Sequence, residues 1–192
     1  MGQNTIETEA LGRELAQTRF SGLYRAHGRA IMAYALRRTN DPDDAADAVS
    51  ETFLAAWRRL GEVPIDDEAL LWLYGAARRV LANQHRAEHR RTKLGLRLAE
   101  SLRTGHATDD APTIEAPEVL RAISLLRPED RELLLLISWE ELSPGEAAKV
   151  LGISSLAARS RLHRARQRLR RLLEDANGAG NRDPELDTEE AR

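Results

Sequence analysis

A chain of 192 residues, 42% of them hydrophobic, is long enough for one medium domain or two small ones with packed cores, which argues against a disordered protein. The absence of cysteine excludes a disulfide framework, a thiolate zinc finger and a cysteine nucleophile, and it fits a reducing compartment. A net charge of -2 argues against a nucleic-acid partner only when read as a sum, because the charges are strongly segregated along the chain.

From Trp72 to Lys93 the cations Arg78, Arg79, Arg86, Arg90, Arg91 and Lys93 face the single acid Glu88. Between Arg159 and Arg171 there are seven arginines and no acid, whereas the segment from Glu174 onward is mostly acidic. Two separated cationic segments predict two phosphate-facing surfaces. The longest apolar run, Leu133 to Ile137, falls far short of the roughly 20 residues of a membrane span. The start of the chain also lacks a basic-then-apolar pattern, so the expectation is a cytoplasmic protein without membrane insertion.

In chain order, residues 1–18 are polar with weak periodicity and read as a flexible N-terminal segment. A first amphipathic helix is expected from Phe20 through Leu23, Tyr24, Ile31, Tyr34 and Ala35 to Arg38. Asn40-Asp41-Pro42-Asp43-Asp44 is a helix start, with Asp41 as cap, Pro42 at the first position and acids against the positive helix end. The helix that follows aligns Val49, Phe53, Ala56, Trp57 and Leu60 in one apolar stripe, and Gly61 is a plausible stop. It also carries Asp44, Asp47 and Glu51 on one side, an arrangement that suits a basic protein partner or an ordinary solvated face.

A third helix begins near Asp66 or Asp67, turns Leu70, Leu71, Leu73, Ala77 and Leu81 inward and runs to about Arg91. Its arginines are interleaved with Trp72, Tyr74, Asn83, Gln84 and His85, a mixture able to stack on and hydrogen-bond to unpaired bases. Trp72 and Tyr74 by themselves read first as core or partly buried anchors, and the aromatic signal alone is weak. Residues 93–116, with scattered glycines, Asp109-Asp110 and Pro112, read as a flexible linker.

The second unit, 117–174, opens at Pro117 with Val119, Leu120, Ile123 and Leu126 on one face, and Pro128 restarts a helix through Leu133, Leu134 and Ile137. Ser143-Pro144-Gly145-Glu146 is a capping box, followed by Ala147, Ala148, Val150, Leu151 and then Gly152, which forces a turn. Ser154 or Ser155 caps a last helix with Leu162, Ala165, Leu169 and Leu172 inward and Ser160, Arg161, Arg164 and Arg168 outward. Residues 175–192 read as an acidic, disordered tail. All strong periodicity is helical, so the predicted fold is all-α, two small helical domains joined by a linker.

Helix, tight turn, basic helix is helix-turn-helix geometry, whose second helix enters the major groove with its first turns against base edges. Arg159, Ser160, His163 and Arg164 are therefore candidate base or phosphate contacts, and the later arginines, Arg168 among them, candidate phosphate contacts. The competing reading is a solvated arginine-rich helix closing a bundle. His85 and His89 lie one turn apart without a third ligand, and no Gly-rich phosphate loop, Ser-His-Asp set or paired carboxylates stand out, so neither a metal cofactor nor an enzyme is expected.

From about Phe20 to Leu173 the chain resembles RNA polymerase sigma factors of the extracytoplasmic-function group of the sigma-70 family. DPDDAADAVSETFLAAWRRL resembles that family's polymerase-binding helix and WLYGAARRVLANQHRAEHRR its promoter-melting helix. LRPEDRELLLLISWEELSPGEAAKVLGISSLAARSRLHRARQRLRRLL resembles its C-terminal DNA-binding domain. The resemblance implies a sigma-2-like domain over 19–92 and a sigma-4-like domain over 117–174. It implies that Asp44, Asp47, Glu51, Phe53, Trp57 and Arg58 form or support a surface for the polymerase clamp helices, with the flap of the second large subunit as a further contact. It assigns Trp72, Tyr74, Arg78, Arg79, Asn83, Gln84, His85, Arg86, Arg90 and Arg91 to the melted minus-10 element, Asn83 at the position of a flipped-out base. It assigns Ser154, Ser155, Arg159, Ser160, Arg161, His163, Arg164 and Arg168 to the minus-35 duplex. An anti-sigma protein is an implied partner. Gly75, Arg78-Arg79 and Gln84-His85 depart from the family pattern, and Leu156-Ala157-Ala158 replaces a stretch that often reads glycine, threonine, valine. A stand-alone helix-turn-helix regulator is the alternative function, which predicts DNA binding without polymerase.

Overall fold

The computed structural model describes residues 2–39, 41–102 and 118–180, with the side chains at 10–39, 41–88, 90 and 119–176. Among them the regular elements are all helical, in two compact units spanning Met1–Thr108 and Asp109–Arg192.

The first unit holds α1 (Gly2–Leu36), α2 (Pro42–Arg58) and α3 (Glu68–Leu102), each packed on the other two. Local chemistry sets α2: the Asp41 carboxylate accepts from the Asp43 N–H at 2.8 Å, Pro42 takes the first turn, and Asp43 and Asp44 sit at the positive helix end. The core joins Ile31, Tyr34 and Ala35 of α1 to Ala45, Ala48, Val49, Phe53 and Ala56 of α2 and Ala69, Leu73, Ala76, Ala77 and Leu81 of α3. So many alanines at the seam let the helix axes approach closely, and dispersion contacts accumulate with proximity. Thr52 is fully buried, and its hydroxyl donates to the Ala48 carbonyl at 2.6 Å, which removes the cost of an unmatched polar group. Arg19 donates to the Val63 carbonyl at 2.5 Å, tying α1 to the connection before α3.

The second unit holds α4 (Glu118–Ser124), α5 (Pro128–Ser138), α6 (Pro144–Leu151) and α7 (Ser155–Gly180), and the first three all pack on α7. Leu133, Leu134, Leu135 and Leu136 are buried in succession. A helix apolar on every side at its middle is covered all round, so α5 is buried at its middle while α7 is the helix on which the other three pack. Ala122 and Leu126, Ala147, Ala148 and Val150, and Ala158, Leu162 and Ala165 complete the core.

Several boundaries differ from expectation. α1 starts at Gly2, so residues 2–18 are helical; the stretch is free of proline and rich in Ala, Leu, Glu, Gln and Arg, which form helix without needing a core face. Leu11 and Leu15 within it are exposed. α3 runs on to Leu102 through the first ten residues expected as linker, and α7 runs on to Gly180 past the expected end at 174. The remainder of the expected linker, from 103, and of the tail, from 181, lies outside the described residues. α2 ends at Arg58, and Gly61 falls inside a 3-10 turn, Leu60–Glu62, instead of serving as the stop. Of the face that the spacing gives to Val119, Leu120, Ile123 and Leu126, Leu126 is buried while Val119 and Leu120 are substantially exposed. Periodicity fixes the side of a helix but not how far its neighbour extends along it.

Candidate nucleic-acid and partner interfaces

Asp44, Asp47, Glu51 and Arg58 of α2 are exposed and follow one another along a single helix face. Beside them Trp57 is 43% exposed, while Phe53 lies beneath the surface. Phe53 meets Tyr24 at 4.7 Å between ring centroids, and Phe20 closes edge-on against Trp57 at 5.2 Å. The edge-on contact with Phe20 supports Trp57 at the border of the acidic face. Phe20, Tyr24 and Leu54, half exposed around Trp57, extend the surface and were missed from the sequence as site residues. The signal was present: Phe20 and Tyr24 are one turn apart on α1, and Leu54 falls between Trp57 and Glu51 around α2.

On α3, Trp72, Arg79, Asn83, Arg86 and Arg90 form one stripe turned away from the core residues Leu73, Ala77 and Leu81, with the buried Ala69 and Ala76 at its border in the first turns. Arg79, Asn83, Arg86 and Arg90 are exposed, and Trp72 is half-buried with the Arg59 guanidinium 5.7 Å from its ring centre. Arg86 donates to the Asn83 side-chain oxygen at 2.6 Å and to the Ala82 carbonyl at 3.1 Å, which leaves the Asn83 NH2 donors outward. Arg59 is itself held by Glu62; their mutual hydrogen bond raises the arginine pKa and lowers that of the carboxyl.

The structure corrects two assignments on this helix. Tyr74 is 4% exposed, with its ring 5.1 Å from that of Tyr34, so it belongs to the core and cannot stack on a base. Gln84 turns toward the core side with a buried oxygen, and is thus removed from the stripe. Arg78 and His85 flank the other side of α3, half-buried and exposed respectively, and the Arg91 side chain lies outside the described residues.

In the second unit the capping box forms as read: the Ser143 hydroxyl accepts from the Glu146 N–H at 3.3 Å, and the Glu146 carboxylate accepts from the Ser143 N–H at 2.8 Å. Hydrogen bonding of the Glu146 carboxylate to the Ser143 side chain and backbone N–H lowers its pKa. Gly152 ends α6 with φ of +67°, the left-handed conformation that a glycine takes without a Cβ clash. Ser154 then caps α7, its hydroxyl accepting from the Ala157 N–H at 3.1 Å. Ala158, Leu162 and Ala165 anchor α7 inward, leaving Arg159, Ser160, His163 and Arg164 exposed on the opposite face and Arg168 exposed on the flank. The Arg164 Nε lies 3.4 Å from the Ser160 carbonyl, and the His163 ring 3.0 Å from the Gln167 amide. Arg161 departs from the expected outward position: it is half-buried, with its Nε 3.9 Å from the Asp130 carboxylate of α5, so it braces the helix against its own unit.

Among the described residues the fold and these faces define an all-helical protein of two domains, one of them a helix-turn-helix unit whose last helix carries seven arginines and no acid from Arg159 to Arg171. Two family models match it: Sigma-70 region 2 over residues 23–91 and Sigma-70, region 4 over residues 117–169. The chain belongs to the sigma-70 family of RNA polymerase sigma factors, in its extracytoplasmic-function group, and functions as a transcription initiation factor. It is 32% identical over 180 residues to the RNA polymerase sigma factor NccH of Alcaligenes xylosoxydans xylosoxydans, a match covering 88% of this chain and 95% of that one. It is 30% identical over 158 residues to the ECF RNA polymerase sigma factor SigL of Mycobacterium tuberculosis, covering 80% and 88%. Among solved structures it is similar to CnrH in complex with the cytosolic domain of CnrY, with a TM-score of 0.58, 27% identity and coverage of 85% and 97%. Among the described residues no helix is long and apolar enough to cross a membrane, and no group of three or more His, Asp or Glu is placed to hold a metal.

Proposed function

We propose that α2 docks this sigma factor on the clamp helices of core RNA polymerase, that α3 holds the melted minus-10 strand and that α7 reads the minus-35 duplex. The observation that carries this reading is the separation of faces: one chain exposes an acidic ridge bordered by Trp57, an arginine stripe from Arg79 to Arg90 on α3 and a second arginine face on α7 turned away from Ala158, Leu162 and Ala165. A basic partner helix suits the ridge, because Asp44, Asp47 and Glu51 supply charge while Trp57 and Leu54 supply burial. The stripe on α3 offers arginines at intervals for phosphates, Trp72 for stacking and the Asn83 donors for a base edge. Arg159, Ser160, His163 and Arg164 occupy the first turns of α7, where a helix-turn-helix meets base edges.

Melting then needs no nucleotide hydrolysis. Unstacking costs a few kcal/mol per base, and a base captured against α3 returns that free energy as binding. CnrH was solved in complex with the cytosolic domain of CnrY, and a regulatory protein partner of this kind, an anti-sigma protein, is part of the proposal, as are the cytoplasm as the place of action and a role without catalysis.

The test is run-off transcription over a genomic library with purified core polymerase. The expected result is initiation at a defined promoter class only when both components are present. Tight duplex binding by the chain alone, with no polymerase-dependent initiation, would overturn the reading in favour of the stand-alone regulator.

A further inference from the structure

Leu156 is the second residue of α7 and is 73% exposed, the most exposed large apolar side chain of the second unit among the described residues. Its backbone is fixed at both sides. Ser154 caps the turn through its hydroxyl and accepts the Ala158 N–H on its carbonyl at 2.9 Å, and Ala158, two residues on, is fully buried. Leu156 therefore projects away from Ala158, Leu162 and Ala165, on the face that carries Arg159, Ser160 and His163 one and two turns further along.

The surroundings decide what can cover it. From Arg159 to Arg171 there are seven arginines and no acid, so a polyanion is attracted to this face and a basic partner is repelled. The N-terminal turn is also the part of a recognition helix that reaches base edges, and in the major groove the apolar feature of a base edge is the C5 methyl of thymine. We propose that Leu156 reads a thymine methyl group in the upstream promoter element and sets the base preference there. This rests on the assignment of α7 to the minus-35 duplex. The contact adds apolar discrimination to a face whose other exposed groups hydrogen-bond or carry charge, and Leu156 is not needed for the fold, since its side chain touches solvent.

The experiment uses holoenzyme, the full chain with core polymerase, and a duplex promoter fragment returned by the run-off screen. Each thymine of the upstream element is replaced in turn by deoxyuridine, which removes the methyl and leaves every hydrogen-bonding group. Burial of one methyl predicts that wild-type affinity falls about four-fold at one position, about 0.8 kcal/mol. Holoenzyme carrying Leu156→Ala binds the methylated and unmethylated fragments equally. A wild type indifferent to every uracil, or a Leu156→Ala holoenzyme that keeps the full response or is weakened equally on all sequences, overturns the proposal. Arg164→Ala run in parallel separates the two levels. If it weakens the upstream contact while the uracil scan is silent, only the Leu156 reading fails; if neither matters in a folded chain, the assignment of α7 fails with it.

Discussion

Arg161 and Arg164 are the same residue type three positions apart on one helix, and their surroundings give them different work. Arg161 is held beside Asp130, whereas the Arg164 guanidinium lies on the exposed face. Arg164→Ala is expected to cost about 1 to 3 kcal/mol on the cognate upstream element if the side chain forks onto a base, measured as the ratio of affinities for cognate and scrambled duplex. An equal loss on both duplexes would mark a phosphate contact instead. On α2 the exposed acids allow a similar separation of binding from folding. The double variant Asp47→Lys, Glu51→Lys should retain its helical circular dichroism and lose affinity for core polymerase, and retained affinity in the folded variant would remove this ridge from the interface. Arginine spacing alone did not distinguish Arg161 from its neighbours, because an ion pair to another helix is invisible along one sequence.

The elements most legible from sequence are those closed by local bonds. Asp41, the Ser143–Glu146 box, Gly152 and Ser154 all behave as read, since each needs only residues within one turn. Ser143→Ala should destabilise the second unit by about 1 kcal/mol in thermal unfolding at neutral pH. Glu146 adds a pH signature. Its folded pKa is below the ordinary carboxylate value, so its contribution is complete at pH values above that ordinary value and is lost as pH falls through the depressed one. The difference between wild type and Glu146→Gln should therefore shrink on acidification; a gap independent of pH would show that the carboxylate charge has no part in the cap. The helix lengths were less legible. α1 extends to Gly2 and α3 to Leu102, beyond the ends of their apolar stripes, because propensity carries a helix past the point where packing stops rewarding it.

At the scale of the whole chain, each unit is built around its own core. Leu136→Ala, at a fully buried position of α5, is expected to cost about 2 to 5 kcal/mol by removing apolar contacts and leaving a cavity. Hydrogen exchange should show that loss in α4 to α7 while protection in α1 to α3 is kept; a uniform loss in both would contradict separate cores. Charge segregation and the order of three family-like segments were available from the sequence alone because they are properties of the linear chain, and the capped turns because each depends on neighbours within a few residues. Tertiary structure alone decided that Tyr74 packs on Tyr34 in the core, that Arg161 lies beside Asp130, and that α1 brings Phe20 against Trp57 and Tyr24 against Phe53. Those outcomes depend on which helix lies opposite, and a single helix periodicity specifies a face without naming what meets it.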